Sequence, residues 1–385
     1  MTKHILFISS WYPTPEKKSH GIFFKRHAEA AALLNQISAI HVCSGQSNHI
    51  DVQLDHKVYT VIGTYKKVNH QLPIISTFQK LWRSFNCFKK CYKVLLEATS
   101  VPDLVLLNVI FPAGIYVLWL HYIKKLPFIV QEQWSGYYPE DGNYKGFIMR
   151  TVTELCAKHA KAILVVSNKL EQSMNTHRLK NTYIKIGNVV DTDLFVPLAH
   201  QGIVPFKFVH VSTINDKEKN ISGIIQAAHF LHHKNISFRI DIVGDGPERD
   251  TFEALAQQYQ LLNKVIYFHG FKLAQEVANI MAQAHCFILN SNYEGLPCVL
   301  LEAMSCGIPV ISTKVGAVPE IIDYKQGVLI KPNDAKELCV AMEDMISSYG
   351  QYSGSYIRTK IIEKYSYPAI AKDFNIIFNS VLIDE

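Results

Sequence analysis

The stretch SNYEGLPCVLLEAMSCGIPVISTKVGAVPE, residues 291–320, decides the fold class of this 385-residue chain. It starts at the end of a short apolar strand, CFILNS, and passes through a loop that contains Glu294, Gly295 and Pro297. An apolar helical segment, CVLLEAMSCG, and a second strand, PVISTKVG, follow. Strand, loop, helix and strand in this order predict parallel strands joined by a crossover helix.

The same alternation of strand and helix extends along the whole chain. Strands are predicted in the first half at HILFISS, DLVLLNV, FIVQEQ and AILVVS, and in the second half at FKFVHVS, FRIDIVG, VIYFHG, CFILNS and PVISTKVG. Apolar strands separated by helices indicate parallel sheets covered on both faces. The sequence therefore predicts an α/β protein with two doubly wound domains, about 1–195 and 205–365, which join near NVVDTDLFVPLAHQGIVPF.

Composition excludes several classes of protein. Hydrophobic residues make up 48% of the chain, which indicates a globular protein, and a net charge of +6 is too small to indicate nucleic acid binding. The eight cysteines are scattered, as expected for reduced thiols in a cytosolic protein. Residues 104–123 have the length of a membrane span, but Pro112 and Gly114 interrupt them, so a buried strand, a turn and a helix are predicted there.

The loop after CFILNS carries the best candidate site. Gly295 allows a ligand to approach the backbone closely, and Pro297 suits a helix start, where free N–H groups can bind a phosphate. Glu294 lies in the loop, and Glu302 is expected about two turns along the helix, where a carboxylate can accept the hydroxyls of a ribose. The alternative is two glutamates on a solvated surface.

This stretch resembles the retaining glycosyltransferases of the GT-B fold, in the family "glycosyl transferases group 1". The family signature, two glutamates separated by seven residues, stands here as EGLPCVLLE, and the later glycine loop stands as VGAVPE. The resemblance implies two Rossmann-like domains that face each other across a cleft. It also implies that Glu294 contacts the donor sugar near the reacting carbon, that Glu302 holds the ribose, and that Gly295, Leu296 and Phe271 contact the donor.

Other segments extend the resemblance over most of the chain. SSWYPTPEKKSHGIFFKRHAEA matches the family's opening strand and glycine loop at Gly21, and IGNVVDTDLF matches its hinge segment at Asn188. IVGDGPERDTF matches a Gly-Asp-Gly-Pro turn. The tail YSYPAIAKDFNIIF matches the last helices, which implies that residues 366–385 pack back on the first domain.

Lys219, in VHVSTINDKEKNISGII, is the predicted cation for the leaving diphosphate, since it follows a strand and precedes a helix. The family pairs this lysine with an upstream arginine, but Ser212, Thr213 and Ile214 stand in that region. Lys217 is the candidate substitute. The alternative for DKEK is a solvated turn.

The loop in VQEQWSGYYPEDG, residues 130–142, is predicted to face the acceptor or sugar through Gln133, Trp134 and Tyr137. Many relatives carry a histidine where Gln133 stands, and a glutamine cannot transfer a proton. The aromatic side chains can stack on a sugar or pack under the loop.

Residues 78–97, FQKLWRSFNCFKKCYKVLLE, have the period of a helix with aromatic and basic residues interspersed. Such a helix can lie on an anionic membrane surface, or it is an ordinary amphipathic helix with a basic outer face.

Taken with the resemblance, these patterns predict a cytoplasmic, retaining glycosyltransferase of polysaccharide biosynthesis that is metal-independent and contacts the inner membrane face. The expected donor is a UDP- or GDP-sugar, and the expected acceptor is a glycan or a lipid-linked glycan. Asp191 and Asp193 have the spacing that holds a metal in another glycosyltransferase fold, but turn or capping roles fit their hinge-like segment better. The alternatives are a sugar-nucleotide epimerase, a phosphorylase-like enzyme and a catalytically silent sugar-nucleotide binding subunit.

Overall fold

The structure, a computed structural model, describes residues 2–14, 20–68, 73–198, 202 and 204–383, except the side chains of 73–75 and 383. It divides into two compact units. The first unit is Met1–Val189 with Tyr367–Glu385, and the second unit is Val190–Ser366. The division falls at Val190 rather than near 195, because the Val190 N–H donates to the carbonyl of Tyr365 at 2.8 Å. Residues 15–19 of the first loop, and residues 199–201 and 203 of the predicted join, lie outside the described part.

The first unit contains an eight-stranded sheet in the order β3-β4-β2-β1-β5-β6-β7-β8, with β3 antiparallel to β4 and the other neighbours parallel. Its strands are β1 (His4–Ser9), β2 (Gln36–Gly45), β3 (His49–Asp55), β4 (Val58–Lys66), β5 (Leu104–Asn108), β6 (Phe128–Glu132), β7 (Ile163–Val165) and β8 (Tyr183–Lys185). The sequence predictions missed β2, β3, β4 and β8. Polar residues interrupt β2 although they are buried, and Ser38 is satisfied by the His4 ring at 2.8 Å.

Helices cover both faces of this sheet. They are α1 (Ile22–Ala31), α2 (Pro73–Ala98), α3 (Gly114–Lys124), α4 (Phe147–His159), α5 (Asn168–Thr176) and α14 (Tyr367–Ile383). On one face, α14 packs beside α1: the Phe374 ring lies 6.0 Å from Phe7, and the Tyr367 hydroxyl donates to Glu29 at 2.8 Å. A single buried cluster therefore joins β1 to residues from the far end of the chain.

The apolar stretch at 104–123 folds as β5 and α3, as predicted. The Tyr116 ring of α3 stacks on Phe88 of α2 at 4.6 Å. Among the residues described, no helix combines the length and apolar character needed to cross a bilayer.

The second unit contains a six-stranded parallel sheet in the order β11-β10-β9-β12-β13-β14. Its strands are β9 (Phe206–Val211), β10 (Phe238–Val243), β11 (Ile266–Phe268), β12 (Cys286–Leu289), β13 (Val310–Thr313) and β14 (Gly327–Ile330). Its helices are α6 (Asp216–Lys219), α7 (Ile221–His232), α8 (Arg249–Gln258), α9 (Ala274–Ala282), α10 (Cys298–Ser305), α11 (Val318–Ile321), α12 (Ala335–Ser348) and α13 (Gly354–Tyr365). The chain winds outward from β9 in one direction and from β12 in the other. The loops after these two central strands therefore lie where the winding reverses, which is the usual place for a ligand in an open α/β sheet.

Three buried histidines are expected to make the fold sensitive to acid. Burial lowers the pKa of His27, His41 and His210 to about 4, and one ring nitrogen of each lies 2.8–2.9 Å from a backbone carbonyl. In the unfolded chain these histidines bind a proton below about pH 6.5, whereas in the folded protein they do so only near pH 4. The folded protein therefore has its full stability above pH 6.5 and loses stability as the pH falls from 6.5 toward 4.

We expect the free energy of unfolding, measured with urea, to be lower at pH 5 than at pH 7.5. The difference should be on the order of 2 kcal/mol for each histidine. The variant His210→Gln, which stays neutral, should show a smaller difference between the two pH values. The variant His49→Gln, at an exposed position, should behave as the wild type does. An unchanged pH dependence in His210→Gln would contradict this assignment.

Candidate functional site

Two predicted site residues meet after the central strands of the second unit. Lys219 is the last residue of α6, after β9, and Glu294 lies in the loop after β12. The Lys219 Nζ lies 2.7 Å from Glu294 Oε1, and the two side chains are 17% and 10% exposed. A charged pair withdrawn from water needs close geometry and further hydrogen bonds to be stable, and both are present here.

The Glu294 carboxylate has a second donor that the sequence interpretation missed. Ser291 Oγ donates to Oε1 at 2.6 Å, and the Ser291 carbonyl accepts from Thr313 Oγ1 at 2.6 Å. The carboxylate is thus connected to the end of β13 as well as to α6. A serine three residues before a glutamate is a spacing at which side chains commonly meet, and it was the available signal.

Backbone hydrogen bonds hold α6 against the loop that carries Glu294. The Asn292 N–H donates to the Glu218 carbonyl at 2.7 Å, and its side-chain amide donates to the Lys217 carbonyl at 3.1 Å. Lys217 takes part through its carbonyl only, and its side chain is exposed. These contacts set the spacing between α6 and the loop that carries Glu294.

Gly316, in the loop after β13, lies directly against the Glu294 backbone. Its φ is +53°, and a Cβ at this position would overlap the carbonyl oxygen of Glu294. The next residue, Ala317, has φ −80° and donates its N–H to the Gly295 carbonyl at 2.9 Å. Ala317 has an ordinary φ, so only Gly316 of this loop needs to be a glycine.

The Gly-Asp-Gly-Pro turn, residues 244–247, also packs closely against a neighbouring loop, here the loop after β9. A Cβ on Gly244 would overlap the Ser212 carbonyl, and one on Gly246 would overlap the Ile214 carbonyl. The Ile214 N–H donates to the Asp245 carbonyl at 3.0 Å. These glycines are required by close packing between loops.

Glu302 is the fifth residue of α10 and is 7% exposed. It lies about one turn into the helix, not two as predicted, because Pro297 is the N-cap and the helix begins at Cys298. Leu296 is buried beside the helix start, after Gly295. Phe271 lies in the loop after β11 with 64% of its surface exposed.

His210, near the end of β9, is a further residue that sequence reasoning missed. Burial lowers its pKa to about 4, so the ring is neutral at neutral pH. Its Nδ1 lies 2.8 Å from the Ile288 carbonyl, which fixes Nδ1 as the donor. Its Nε2 then accepts from Ser212 Oγ at 2.7 Å. The ring links β9 to β12 and is within electrostatic reach of Lys219 and Glu294.

The other predicted residues belong to the first unit. Gly21 is the N-cap of α1 with φ +70°, and its Cβ would lie 2.6 Å from the Trp11 carbonyl. Asn188 is 1% exposed and lies next to Val189, where the first segment of that unit ends.

Glu132 organises the loop that carries Gln133, Trp134 and Tyr137. Its Oε1 accepts the N–H groups of Gln133 and Trp134 at 3.0 and 3.1 Å, and its Oε2 accepts the Tyr137 hydroxyl at 3.1 Å. Burial raises the pKa of Glu132. Tyr137 is 2% exposed and packs under the loop, the second of the two alternatives left open above. Sequence reasoning missed Glu132, because nothing in its motif shows that it is buried.

Carboxylates that suggested metal binding have other partners. Asp191 Oδ1 accepts the N–H groups of Asp193 and Leu194 at 3.2 and 3.0 Å, which is a turn-stabilising role. In the first unit, Glu29, Asp55 and His56 converge, but the Lys25 ammonium lies 2.8 Å from Asp55 and 3.7 Å from Glu29.

Comparison with known proteins agrees with this architecture. Residues 205–360 match the model of the family "Glycosyl transferases group 1". The "Putative colanic acid biosynthesis glycosyltransferase WcaL" of Salmonella typhimurium is 33% identical over 179 residues, which cover 45% of this chain and 42% of that protein. The chain thus spans less than half the length of this curated relative.

Solved structures establish the fold. Sucrose-phosphate synthase from Thermosynechococcus elongatus superposes with a TM-score of 0.78 at 18% identity and covers 100% of both chains. HepE from Anabaena, solved in complex with UDP, superposes with a TM-score of 0.73 at 17% identity and covers 99% of this chain and 100% of that one. The predicted GT-B fold is confirmed, and the predicted family resemblance is confirmed for residues 205–360.

The contact between Gly316 and Glu294 can be tested by a pair of glycine variants. Gly316→Ala should destabilise the protein by roughly 1–3 kcal/mol, since the new side chain meets both a positive φ and the Glu294 carbonyl. Gly350→Ala is the control, because a Cβ there has open space around it. Urea unfolding measures both. Equal stability of the two variants would contradict the close approach.

Proposed function

We propose that this chain is a retaining glycosyltransferase that moves a sugar from a nucleotide-diphosphate sugar to a glycan or lipid-linked acceptor without a metal ion. The observation that carries the proposal is the 2.7 Å pair of Lys219 and Glu294. The pair follows the two central strands, where the winding of the sheet reverses, in the unit that matches the glycosyltransferase family model. In open α/β sheets this position is the usual ligand site.

Lys219 supplies the charge that the reaction requires. When the bond between sugar and diphosphate breaks, negative charge develops on the leaving phosphate, and a fixed ammonium group stabilises it. We propose that Lys219 bridges Glu294 and the leaving phosphate, and that Lys217 on the same short helix is the second cation. Metal independence is part of this proposal, and unchanged turnover in EDTA is its test.

Glu294 is assigned to the donor sugar. Both observed hydrogen bonds reach Oε1, from Lys219 and from Ser291. We assign Oε2 to a sugar hydroxyl near the reacting carbon. The acceptor then attacks the face from which the diphosphate leaves, and the enzyme acts by positioning both substrates and stabilising the phosphate charge.

The rest of the donor is assigned to neighbouring groups. Glu302 accepts the ribose hydroxyls, the backbone at Gly295 and Leu296 approaches the donor, and the exposed ring of Phe271 contacts the base. HepE is described in complexes with UDP and with UDP-glucose, which makes a UDP-sugar the first donor to test and a GDP-sugar the second.

The first unit is assigned to the phosphate and the acceptor. We propose that Gly21 and Asn188 bind the donor, and that Gln133 and Trp134 contact the acceptor while Tyr137 supports their loop. We also propose a cytoplasmic location with peripheral contact at the inner membrane face, which suits a lipid-linked acceptor. The name of WcaL refers to colanic acid biosynthesis, and we propose a role in polysaccharide biosynthesis for this chain.

Two observations favour a rival function. Ser212 and Thr213 stand where the family has an arginine, and Gln133 stands where relatives have a histidine. Both are compatible with a catalytically silent sugar-nucleotide binding subunit. Incubation with labelled donor separates the possibilities. A transferase yields a glycosylated acceptor with the anomeric configuration retained, an epimerase or phosphorylase-like enzyme yields a different sugar product, and a silent subunit binds the donor without turnover.

Three variants should separate binding from turnover. Lys219→Met and Glu294→Gln should lower kcat on the order of 10²–10³-fold, because each removes a charged group from the reacting centre. Glu302→Gln should mainly raise KM, on the order of tenfold or more, through lost ribose hydrogen bonds. Steady-state kinetics with the donor identified by a thermal-shift screen of UDP- and GDP-sugars measures all three.

Lys331→Met is the control for loss of a lysine, because this residue lies exposed in the loop after β14. It should leave both kcat and KM unchanged. Full transfer activity in Glu294→Gln would contradict the assignment of this residue to the reacting sugar.

A further inference from the structure

A cavity of about 820 Å³ lies in the first unit between α2 and the edge formed by β3 and β4. Strand residues 48–50 and 64–66 form one wall, and helix residues between 82 and 93 form the other. Its volume is in the range of sites that bind small organic molecules.

The cavity is strongly basic. Five cations line it, Lys66, Arg83, Lys89, Lys90 and Lys93, together with His49, and none of the described lining residues is acidic. Lys93 lies 3.9 Å from Glu97 outside the cavity, but both side chains are largely exposed, and such a pair contributes little. Several like charges around one cavity repel one another, so an anionic ligand would stabilise the arrangement.

Packing of α2 does not require these lysines. The helix buries Phe88, Cys91 and Leu95, and Gly63 of β4 leaves room for the Cys91 sulfur. Arg83 donates to the carbonyls of Lys66 and Lys67 at 3.1 and 3.5 Å, which fixes the rim of the cavity. Lys89, Lys90 and Lys93 are exposed.

Two aromatic rings next to the basic cavity indicate the kind of ligand. Trp82 lines the cavity and is 61% exposed, and Phe78, one helical turn earlier, is 71% exposed. Exposed aromatic residues beside lysines are typical of segments that lie at the headgroup level of a bilayer. Inorganic phosphate or pyrophosphate would give these two rings no apolar partner.

We propose that this cavity binds the phosphate headgroup of an anionic lipid, with Lys89, Lys90 and Lys93 on the phosphate and with Trp82 and Phe78 at the bilayer surface. The inference rests on the proposed function, since it identifies the surface through which the enzyme meets the membrane that carries a lipid-linked acceptor. It adds a lipid site within the first unit that is separate from the donor site.

Co-sedimentation with vesicles tests the proposal. The full chain should bind phosphatidylglycerol vesicles and not phosphatidylcholine vesicles. The variant Lys89→Gln/Lys90→Gln/Lys93→Gln should bind phosphatidylglycerol vesicles on the order of a hundredfold more weakly. Lys158→Gln/Lys180→Gln/Lys336→Gln is the matched control, because it removes the same charge from exposed positions elsewhere. It should bind nearly as the wild type does.

Further experiments test whether Trp82 belongs to the binding site and whether the phosphate comes from a lipid or from a soluble compound. Trp82→Ala should weaken vesicle binding, whereas Tyr324→Ala, at an 81% exposed position in the second unit, should not. Equal losses in the two lysine triples would show attraction by net charge alone and overturn the proposal. Thermal stabilisation of the wild type by inorganic pyrophosphate, together with no binding to phosphatidylglycerol vesicles, would also overturn it, in favour of a soluble ligand.

This readout is independent of sugar transfer. Thermal stabilisation by the donor should be the same in the Lys89/Lys90/Lys93 variant and in the wild type, because these lysines belong to the first unit and the assigned ribose and sugar contacts to the second. Loss of vesicle binding with donor stabilisation intact supports the lipid site. Failure of every donor to stabilise the wild type would count against the proposed function and leave the vesicle result standing.

Discussion

The candidate site of the second unit depends on close approach between backbones. At the carboxyl end of its sheet, the loop after β13 lies on the loop after β12, and the turn after β10 lies on the loop after β9. Gly316, Gly244 and Gly246 stand where a Cβ would overlap a neighbouring carbonyl. Because these loops are packed main chain to main chain, the side chains on them occupy defined positions before any ligand arrives.

The Lys219–Glu294 pair follows from this constraint. Both groups are largely withdrawn from water, so each would be costly without the other. Ser291 adds a neutral donor, and His210 connects the two central strands beneath the pair. A lysine held in place by a carboxylate is oriented toward a phosphate before the phosphate binds. Electrostatic preorganisation requires this arrangement.

Much of this could be predicted from the sequence. The strands β9 to β13 were all predicted, β12 and β13 are buried at every residue, and the glutamate loop was located correctly after β12. The strands β2 to β4 were missed because polar residues interrupt them. Ser38 and His41 are nonetheless buried, with hydrogen-bond partners that lie far away along the chain.

Several residues of the candidate site were not predicted from the sequence, for a similar reason. Ser291, His210 and Glu132 act through distances between elements that a sequence does not display. The length of helix preceding Glu302 was overestimated because Pro297 can either begin a helix or cap it, and here it caps α10. The motif therefore identified the loop, and tertiary contacts determined what surrounds each side chain in it.

The return of α14 to the first unit has a consequence for how the protein is made. The second unit is one continuous segment, whereas the first unit comprises two segments separated by 177 residues, Val190–Ser366. On the ribosome, Phe7 and its neighbours emerge early, but Phe374 and Phe378, which cover them, are translated long afterwards. One apolar face of the first sheet therefore lacks its native cover while the whole second unit is synthesised, an interval in which chaperones can bind it.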